Sequence, residues 1–423
     1  MKNNQKKIFV YADWCKNEPV KLMGTLSVSP IRGKEIFSFE YSAEWLNDKF
    51  GTILDPDLQF FPGNQYLTDS KSNFGMFLDS SPDRWGRMLM RRREAVLARQ
   101  EGRLENQLYE SDYLLGVFDK QRVGAMRFKN SETGPYLNDD EQLAIPPWSS
   151  LRTLEHASLE IENNNAVDDS EYIKWLNMLI APGSSLGGAR PKSGILDNEN
   201  NLWIAKFPSR NDDKNVGAWE KIVNELAEEA NIIVAESKVI KLSNKHHTFL
   251  SKRFDRDNYG NRAHFSSAMT MLGYYDGANE QIGVSYLEIV EFLMENGVNV
   301  DNNLEELWRR IVFSICVSNS DDHLRNHGFI LTEKGWTLAP AYDINPVEFA
   351  IGLSLNISEN DNSLDLELAK KVAGYFRISE KKADKIIAEV VSVVNEWQKY
   401  ADKYGVSKAE QEKMKTAFNN RQR

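Results

Sequence analysis

The sequence predicts a protein of mixed α and β structure, with strands concentrated in its first part and helices in its last. Three short strand patterns, separated by turn residues, lie at Ile8–Tyr11, Val20–Val28 and Ile36–Phe39. They indicate a small antiparallel β module at the start of the chain. Helical periodicity recurs later, near Val284–Asn296, Leu304–Ser318, Leu364–Tyr375 and Glu380–Tyr400.

The size and composition of the chain favour a soluble protein with more than one hydrophobic core. It has 423 residues, a mass of 48.5 kDa and 41% hydrophobic residues, enough for two or three cores. No run of about 18 apolar residues exists to span a membrane. The basic residues 1–7 precede a strand-like run rather than an apolar signal core, so we expect a cytoplasmic location.

The net charge and the cysteine content argue against broad DNA binding and against disulfide or zinc sites. The formal net charge of −10 argues against broad, charge-driven DNA binding by this chain alone, although a local basic patch stays open. Cys15 and Cys316 are the two cysteines, and they lie in different segments. A disulfide framework or a cysteine-ligated zinc site is therefore not expected.

A basic helix is predicted to begin after Pro82, within the motif Pro82-Asp83-Arg84-Trp85-Gly86-Arg87, and to run through Arg93. Serine and proline are the start signals. Two interpretations fit this pattern. The helix start is either a capped end with a solvated arginine face, or a surface that binds a partner.

A glycine-rich segment follows a helical run that begins near Tyr172. Its letters run from Pro182 through Ser184, Ser185, Leu186, Gly187, Gly188, Ala189, Arg190 and Pro191 to Lys192. Small residues allow close backbone approach, and successive N–H groups of such a loop can bind phosphates. The pattern matches neither common phosphate-loop motif, so a plain flexible turn is the alternative.

An apolar strand interrupted by one lysine comes next, at residues 202–208. Lys206 is that lysine, and a buried lysine needs an anionic partner, which nucleotide phosphates would supply. The amphipathic helix 218–230 carries Glu220 near its start, where it could pair with Lys206 as in kinases. The alternative is a surface glutamate, with Glu225 as a competitor for the lysine.

The segment 304–346 contains the residues best suited to chemistry. Its helix, apolar at three- and four-residue steps, stops at Ser318, and the polar loop 319–328 follows. Strand patterns at 329–331 and 336–338 then flank the turn residues Glu333-Lys334-Gly335. This hairpin is predicted to bring Asp343 back beside the loop.

The spacing of acids and amides in this segment is typical of phosphoryl transfer. Asp321 precedes Asn326 by five positions, as the acid precedes the asparagine in the catalytic loop of protein kinases, and Asp343 follows a strand pair as the metal-binding acid does there. The letters around these residues differ from those of protein kinases. A solvated turn whose side chains cap the helix end is the alternative.

The order of these motifs resembles the HipA family of serine/threonine kinases, the toxins of bacterial HipBA toxin–antitoxin pairs, and the resemblance covers most of the chain. The motifs that carry it are Ser185–Lys192, Ile204-Ala205-Lys206-Phe207-Pro208, Lys252-Arg253-Phe254-Asp255-Arg256, the loop from Asn319 to Asn326, Tyr342-Asp343-Ile344 and, in the first domain, Phe39-Glu40-Tyr41 and 82–87. One departure is His264-Phe265-Ser266-Ser267-Ala268, which replaces an acidic and aromatic segment. It leaves the choice of substrate open.

The resemblance implies a two-lobed α+β protein-kinase-like fold of the HipA type. Its domains would be a β-rich amino-terminal module at 1–130, a nucleotide-binding lobe at 172–256 and a mainly helical catalytic lobe at 257–423. It also implies ATP and Mg²⁺ as cofactors, Asp321 as the catalytic aspartate that accepts or orients the hydroxyl proton, Asn326 and Asp343 as metal ligands, and an ion pair between Lys206 and Glu220. The nucleotide-binding residues that it implies are Gly187, Gly188, Ala189, Arg190, Pro191, Lys192, Lys206, Lys252, Arg253, Phe254, His323, Leu324, Arg325, Asn326, Tyr342 and Asp343.

Among these residues, His323 is expected to brace the loop or to reach a phosphate. It is not expected to act as a base. A metal site built on His323 and His327 is not favoured, because no third nitrogen or sulfur ligand is spaced near them.

The resemblance further implies partners and a regulatory site. The partners are a HipB-like helix-turn-helix antitoxin, through which DNA is mainly bound, and a protein substrate with a serine or threonine acceptor, with an aminoacyl-tRNA synthetase among the candidates. Ser185 is the implied autophosphorylation site, with Ser184 as the alternative. A silent ATP-binding module that acts in an antitoxin and operator complex, and a small-molecule or lipid kinase on the same fold, are the other functions considered.

Overall fold

The computed structural model of the protein describes residues 5–14, 19–47, 52–67, 71–163, 169–180, 188, 190–244 and 246–418. The chain divides into two compact units, Met1–Arg210 with Arg253–Ser266, and Asn211–Lys252 with Ser267–Arg423. These limits differ from the predicted domains 1–130, 172–256 and 257–423. The bounds of the three predicted domains stay a prediction.

An antiparallel five-stranded sheet forms the amino-terminal part of the first unit. Its strands are β1 Lys6–Ala12, β2 Lys21–Ile31, β3 Lys34–Tyr41, β4 Gln65–Tyr66 and β5 Met126–Lys129. Their order in the sheet is β4-β3-β2-β1-β5. Ile8 pairs with Leu26 and Leu26 with Phe39, and all three side chains are fully buried. Because alternate residues of a strand share a face, this row of apolar side chains forms the core side of the sheet. The three strands predicted between residues 7 and 41 are confirmed.

The first unit also contains helices and a second β-hairpin. The helices are α1 Ala43–Asn47, α2 Gly75–Asp79, α3 Arg84–Gln100, α4 Glu110–Gly116, α5 Leu151–Glu162 and α6 Asp169–Leu179, and the hairpin strands are β6 Lys192–Leu196 and β7 Leu202–Lys206. Helix α3 begins where the sequence predicts, because the Asp83 carboxylate accepts the Gly86 N–H at 2.8 Å as its N-cap. Strand β10, Phe265–Ser267, crosses the limit between the units.

The second unit is mainly helical. Its helices are α7 Val216–Glu229, α8 Ala268–Met271, α9 Tyr286–Asn296, α10 Val300–Val317, α11 Leu366–Val372, α12 Glu380–Val394, α13 Trp397–Lys403 and α14 Lys408–Met414, and its strands are β8 Ser237–Ile240, β9 Thr248–Lys252, β11 Gly328–Thr332 and β12 Gly335–Leu338. Strands β8 and β9 pair antiparallel, as do β11 and β12. The predicted hairpin after the polar loop is therefore confirmed.

Helix α10 lies in the core of the second unit and ends at the polar loop. The apolar side chains that gave its periodicity, among them Trp308, Ile311 and Ile315, are fully buried, and the Trp308 indole donates to the Ala369 carbonyl at 2.9 Å. This burial holds α10 in the core of the unit, and thereby holds the loop that follows it.

One predicted helix is wrong in its extent. Residues 380–400 form two helices, because α12 ends at Val394 and α13 begins at Trp397. The break turns the Trp397 ring inward, where it stacks on Phe418 with ring centroids 4.6 Å apart. Stacking of two buried aromatic rings offsets the loss of a continuous helix.

Among the described residues, no helix is both long and apolar enough to cross a membrane.

Candidate active site

The polar loop begins at a sharp helix end. Ser318 adopts a left-handed conformation, φ +53°, which stops α10, and the Asn319 N–H then donates back to the Ser314 carbonyl at 2.9 Å. Two further bonds hold the loop backbone from outside. The Ser354 hydroxyl donates to the Ser320 carbonyl at 2.6 Å, and the Val347 N–H donates to the Ser318 carbonyl at 3.2 Å. The loop is thus fixed on both sides of the helix end.

A buried carboxylate braces the loop directly after Asp321. The Tyr286 hydroxyl donates to Asp322 Oδ2 at 2.5 Å, and His327 Nε2 lies 3.0 Å from Oδ1. Burial alone would raise the pKa of Asp322, but His327 and the Tyr286 hydroxyl hold it below the usual value. Burial and the Asp322 charge in turn raise the pKa of Tyr286 well above its usual value. Asp322 therefore stays ionised and anchors the loop.

Sequence reasoning missed this brace. The contact with Asp322 is made by His327, while the half-buried His323, expected to brace the loop or to reach a phosphate, keeps that role as a prediction. The spacing of Asp322 and His327 was a visible signal. Tyr286, which lies 36 residues upstream of Asp322, gave no local signal.

Asn326 is oriented with its oxygen available as an acceptor. Its side-chain Nδ2 donates to the Asp321 backbone carbonyl at 2.8 Å. In the described part of the chain, the buried Oδ1 has no hydrogen-bond partner. An amide whose nitrogen is used and whose oxygen is unsatisfied fits a cation ligand.

Asp343 reaches the same loop from the irregular segment that follows β12. Its backbone is left-handed, φ +56°, and its Oδ1 accepts a bond from the Asn345 side chain at 3.0 Å. The Asn345 N–H in turn donates to Asn319 Oδ1 at 3.2 Å. The chain beside Asp343 is fixed as well, because the Tyr342 hydroxyl donates to the Arg325 carbonyl at 2.6 Å. The structure therefore brings Asp321, Asn326 and Asp343 to one loop cluster.

Asp321 is exposed, and its electrostatic surroundings suit a proton acceptor. Loss of water around the carboxylate raises its pKa, His323 opposes this effect, and the charges of Asp343 and Asp322 raise the pKa further. A carboxylate with a raised pKa holds a proton more readily than an ordinary aspartate does. This is the property that a group accepting a hydroxyl proton needs.

The residues present fit a magnesium ion bound together with phosphates. Asn326 Oδ1 and the Asp343 carboxylate are hard oxygen donors, and magnesium is commonly held by one or two protein groups plus phosphate oxygens. Within the described residues, no group of three or more histidine, cysteine, aspartate or glutamate side chains is placed to hold a metal. A dedicated all-protein cage is therefore not found in that part of the chain.

The predicted phosphate-binding segment is described in part. Gly188 is exposed with φ +101°, Arg190 Nη2 lies 3.5 Å from the Phe207 carbonyl, and the Phe207 N–H donates to the Pro191 carbonyl at 2.9 Å. Ser184, Ser185, Leu186, Gly187 and Ala189 lie outside the described residues. Their predicted roles stay predictions.

Lys192 is a buried ion-pair partner. Its Nζ lies 2.6 Å from Asp83 Oδ2, and the side chains are 3% and 2% exposed. The Trp85 indole also donates to the Lys192 carbonyl at 3.1 Å. Lys192 and Lys206 are directly opposite in the β6–β7 pairing, so their side chains leave the same face of the hairpin. Asp83 neutralises Lys192. Lys206 is half-buried and lies at the end of β7.

The remaining predicted residues differ in how far their side chains are already engaged. Arg253 is buried and pairs with both oxygens of Asp255, so its guanidinium is held within the first unit. Lys252 lies 3.4 Å from Glu236 in the second unit. Phe254 and Arg325 are half-buried, and Leu324 is buried.

Glu220 is 4% exposed, so the alternative of a surface glutamate is wrong. Its competitor Glu225 lies 2.8 Å from the Lys403 ammonium and accepts the Tyr404 hydroxyl at 2.6 Å. The pairing of Glu220 with Lys206 stays a prediction.

Comparison with known proteins places this site in a family. The model of the HipA-like C-terminal domain matches residues 184–397, a span that contains all three residues of the loop cluster. A Haemophilus influenzae protein named only provisionally as a kinase is 28% identical over 179 residues, 38% of this chain and 52% of the relative. The chain therefore spans about half the length of this curated relative.

One solved structure shows the fold. The HipA chain in the Shewanella oneidensis MR-1 complex of HipA, HipB and operator DNA matches with a TM-score of 0.63 and 17% identity, covering 95% of this chain and 94% of that one. At this identity the likeness shows a shared fold, and the predicted HipA-type α+β fold is confirmed. The Helicobacter pylori proinflammatory kinase CtkA matches with a TM-score of 0.42 and 14% identity, over 54% of this chain and 89% of that one.

Proposed function

The chain belongs to the HipA-like C-terminal domain family, and from that premise we propose that it is an ATP-dependent serine/threonine protein kinase acting as the toxin of a toxin–antitoxin pair. One observation carries the proposal. Asp321, Asn326 and Asp343 meet on one braced loop cluster, with an exposed acid beside an unsatisfied amide oxygen. Kinase catalysis consists largely of placing such groups around a transferring phosphoryl group.

The proposed reaction moves one phosphoryl group and one proton. The acceptor hydroxyl oxygen forms a bond to the γ-phosphorus of ATP, and the bond from that phosphorus to the β–γ bridging oxygen breaks, which releases ADP. Asp321 orients the hydroxyl and accepts its proton, a role favoured by the raised pKa of the carboxyl. The Asp322 brace fixes the backbone that carries Asp321, so that little reorganisation is needed.

Asn326 Oδ1 and the Asp343 carboxylate would hold magnesium in this site. When bound, magnesium neutralises charge on the phosphate oxygens of the nucleotide. Asn326 is suited to this role because its Nδ2 is already engaged with the Asp321 carbonyl. The amide oxygen is therefore the atom of this side chain that would act as a ligand.

Lys206 is the proposed phosphate-binding lysine, with Glu220 as its partner. Lys192 was expected to bind nucleotide as well, but its ammonium is paired with Asp83. In the proposed site Lys192 therefore supports the start of strand β6, which follows the phosphate-binding segment, and Lys206 contacts phosphate oxygens. The exposed backbone of Gly188 is available for close approach of a phosphate.

Ser185 is the proposed autophosphorylation site, and this part of the proposal rests on the family resemblance. A phosphate adds about −1.5 to −2 charge, in the segment where the nucleotide phosphates would bind. Repulsion would then weaken ATP binding. Incubation with ATP, phosphosite mapping and ATP affinity before and after distinguish Ser185 from Ser184.

A HipB-like helix-turn-helix antitoxin is the proposed protein partner, and it would supply most of the affinity for DNA. The Shewanella structure contains HipA, HipB and operator DNA together, and the net charge of −10 gives this chain little gain from counterion release. If this chain alone bound operator DNA as tightly as its complex with the antitoxin, the partner proposal would be wrong.

Radiolabelled transfer from ATP tests the proposed activity. Asp321→Ala and Asp343→Ala should each lower the rate by at least about 100-fold without changing the thermal midpoint of unfolding by more than a few degrees. Asp301→Ala is the matched control, since Asp301 is an exposed acid at the other end of α10. It should transfer at the wild-type rate.

Three outcomes separate the alternatives. Near wild-type transfer by both site variants would show that these acids do not catalyse the reaction. Tight ATP binding by the wild-type protein without any transfer would favour the silent ATP-binding module. Transfer to small molecules or lipids, but to no protein, would favour the other kinase class.

A further inference from the structure

Two large apolar side chains are exposed in the segment that follows Asp343. Phe349 is 77% exposed and Ile351 is 96% exposed. They lie only six and eight residues after Asp343. Large apolar side chains exposed close together near a catalytic residue mark a candidate binding surface.

The backbone holds Phe349 in a conformation that such a residue rarely adopts. Its φ is +57°, in the left-handed region where a bulky side chain costs about 1 kcal/mol or more relative to glycine. The Phe349 N–H donates to Thr416 Oγ1 at 3.3 Å. A strained, hydrogen-bonded residue that turns an aromatic ring to solvent is unlike a random surface position.

Both flanks of this exposed pair are tied to the loop that carries Asp321. On one side Val347 donates to the Ser318 carbonyl, and on the other Ser354 donates to the Ser320 carbonyl. Between these points the Lys214 ammonium lies 2.5 Å from the Glu348 carboxylate. The segment is therefore a braced ridge beside the proposed catalytic loop.

The ties limit how far the ridge lies from the reacting hydroxyl. Two routes along the backbone connect the ridge to Asp321, one across the bond from Val347 to Ser318 and one across the bond from Ser354 to Ser320. The length of chain along these routes places Phe349 and Ile351 within roughly 20 Å of Asp321. An extended peptide covers about 3.3 Å per residue. A side chain that reaches the ridge thus lies within about six positions of the phosphorylated residue.

We propose that Phe349 and Ile351 form a docking site for the acceptor protein, and that the acceptor carries a large apolar side chain within about six residues of its serine or threonine. The inference rests on the proposed kinase function and names the substrate class of that site. Two side chains cover far less than the about 800 Å² per partner that a stable protein interface needs. A briefly bound substrate suits this area, whereas a stable second copy of the chain does not.

A peptide series tests the docking site. Each peptide has one serine in an alanine, glycine and lysine background, with a single leucine placed in turn at each of six positions on either side. The wild-type protein should prefer peptides with leucine at one or two adjacent positions, with a KM about tenfold or more below that of the all-alanine peptide.

The double variant Phe349→Ser, Ile351→Ser should lose this preference. Its KM for the leucine peptides should rise to the value for the all-alanine peptide, while kcat stays within about twofold of wild type. Leu104→Ser is the matched control, since Leu104 is 91% exposed on the first unit. It should behave as wild type.

Peptide binding to the nucleotide-loaded protein, followed by fluorescence anisotropy, separates the two proposals. If the position of leucine had no effect on transfer by the wild type or by the double variant, the docking site would be wrong and the kinase proposal would be unaffected. If no peptide were phosphorylated, but peptides bound in a leucine-dependent way that needs Phe349 and Ile351, the kinase proposal would be wrong and the binding surface would be supported. If the double variant instead abolished only self-association, a second copy would be the occupant and the docking proposal would be wrong.

Discussion

Replacing Lys192 by methionine removes one partner of an ion pair that joins two motifs far apart in sequence. The Lys192 ammonium lies 2.6 Å from Asp83 Oδ2, and both side chains are almost fully buried. Methionine is close to lysine in length and fills a similar volume. The change therefore removes the charge and leaves the packing largely intact.

The expected loss follows from the carboxylate left behind. Removing one partner of a buried ion pair costs about 3 to 5 kcal/mol, because the remaining charge loses the opposite charge that offset its burial. Asp83 retains the Gly86 N–H as a helix cap, which is worth about 1 kcal/mol and does not replace a cation. The double variant Lys192→Met, Asp83→Asn keeps that cap and buries no charge. We expect it to be within about 1.5 kcal/mol of wild type.

Hydrogen exchange of the slowest amides in β1, β2 and β3, read by mass spectrometry, measures the free energy of unfolding of the first unit without assuming that the chain unfolds in one step. Lys6→Met is the control, since Lys6 lies 3.7 Å from Asp112 in an exposed pair of the same unit. Such a pair is worth at most about 1 kcal/mol.

Two results would refute this reasoning. If Lys192→Met lowered the free energy of unfolding by no more than Lys6→Met does, water or another group would be compensating the Asp83 charge. A double variant as unstable as the sum of its single variants would mean that the two residues are not coupled.

Three further predictions concern titration and the brace. His264 is buried and stacks on Trp14, and burial lowers its pKa to about 3. The free energy of unfolding of the first unit therefore falls as pH drops below about 6.5, and it should be about 1.4 kcal/mol lower at pH 5.5 than at pH 7.5. His264→Phe should remove this pH dependence, measured by hydrogen exchange in the first unit. Tyr286→Phe should lower the free energy of unfolding of the second unit by about 1.5 to 3 kcal/mol, measured by its exchange, and should lower kcat more than ATP affinity, since it removes a bond to the charged Asp322. The third prediction follows from the raised pKa of Asp321, because activity is lost as this carboxyl becomes protonated. On the acid side of the pH profile, kcat/KM should fall at a higher pH than the ordinary pKa of an aspartate would give. A fall only at or below about pH 4 would contradict this.

The elements that the sequence predicts well are those with a strong local pattern. Helix α10 and the β11–β12 hairpin lie where the apolar periodicity and the turn residues place them. The proximity of Asp321, Asn326 and Asp343 could also be predicted, because their spacing in the sequence is itself a signal.

The elements that it does not predict depend on contacts between distant residues. Strand β6 begins at the buried Lys192, a residue that no strand pattern favours, and its burial is explained by Asp83, 109 residues earlier. Tyr286 and Asp322 meet across 36 residues. Neither pair has a spacing that one sequence can reveal, because the fold alone brings the partners together.

The left-handed backbone at Ser318, Asp343 and Phe349 has a consequence for which substitutions each position tolerates. At an ordinary buried site, tolerance follows side-chain volume, and glycine is among the worst replacements. At these three positions glycine relieves backbone strain, while a β-branched residue such as valine or isoleucine increases it. In a scan of all single substitutions scored for folding, glycine would therefore be among the best accepted residues at Asp343 and Phe349. At Ser318 the gain is offset by loss of the buried bond from the serine hydroxyl to the Ala417 carbonyl. When scored for transfer, glycine at Asp343 should fail, and glycine at Ser318 should still be accepted.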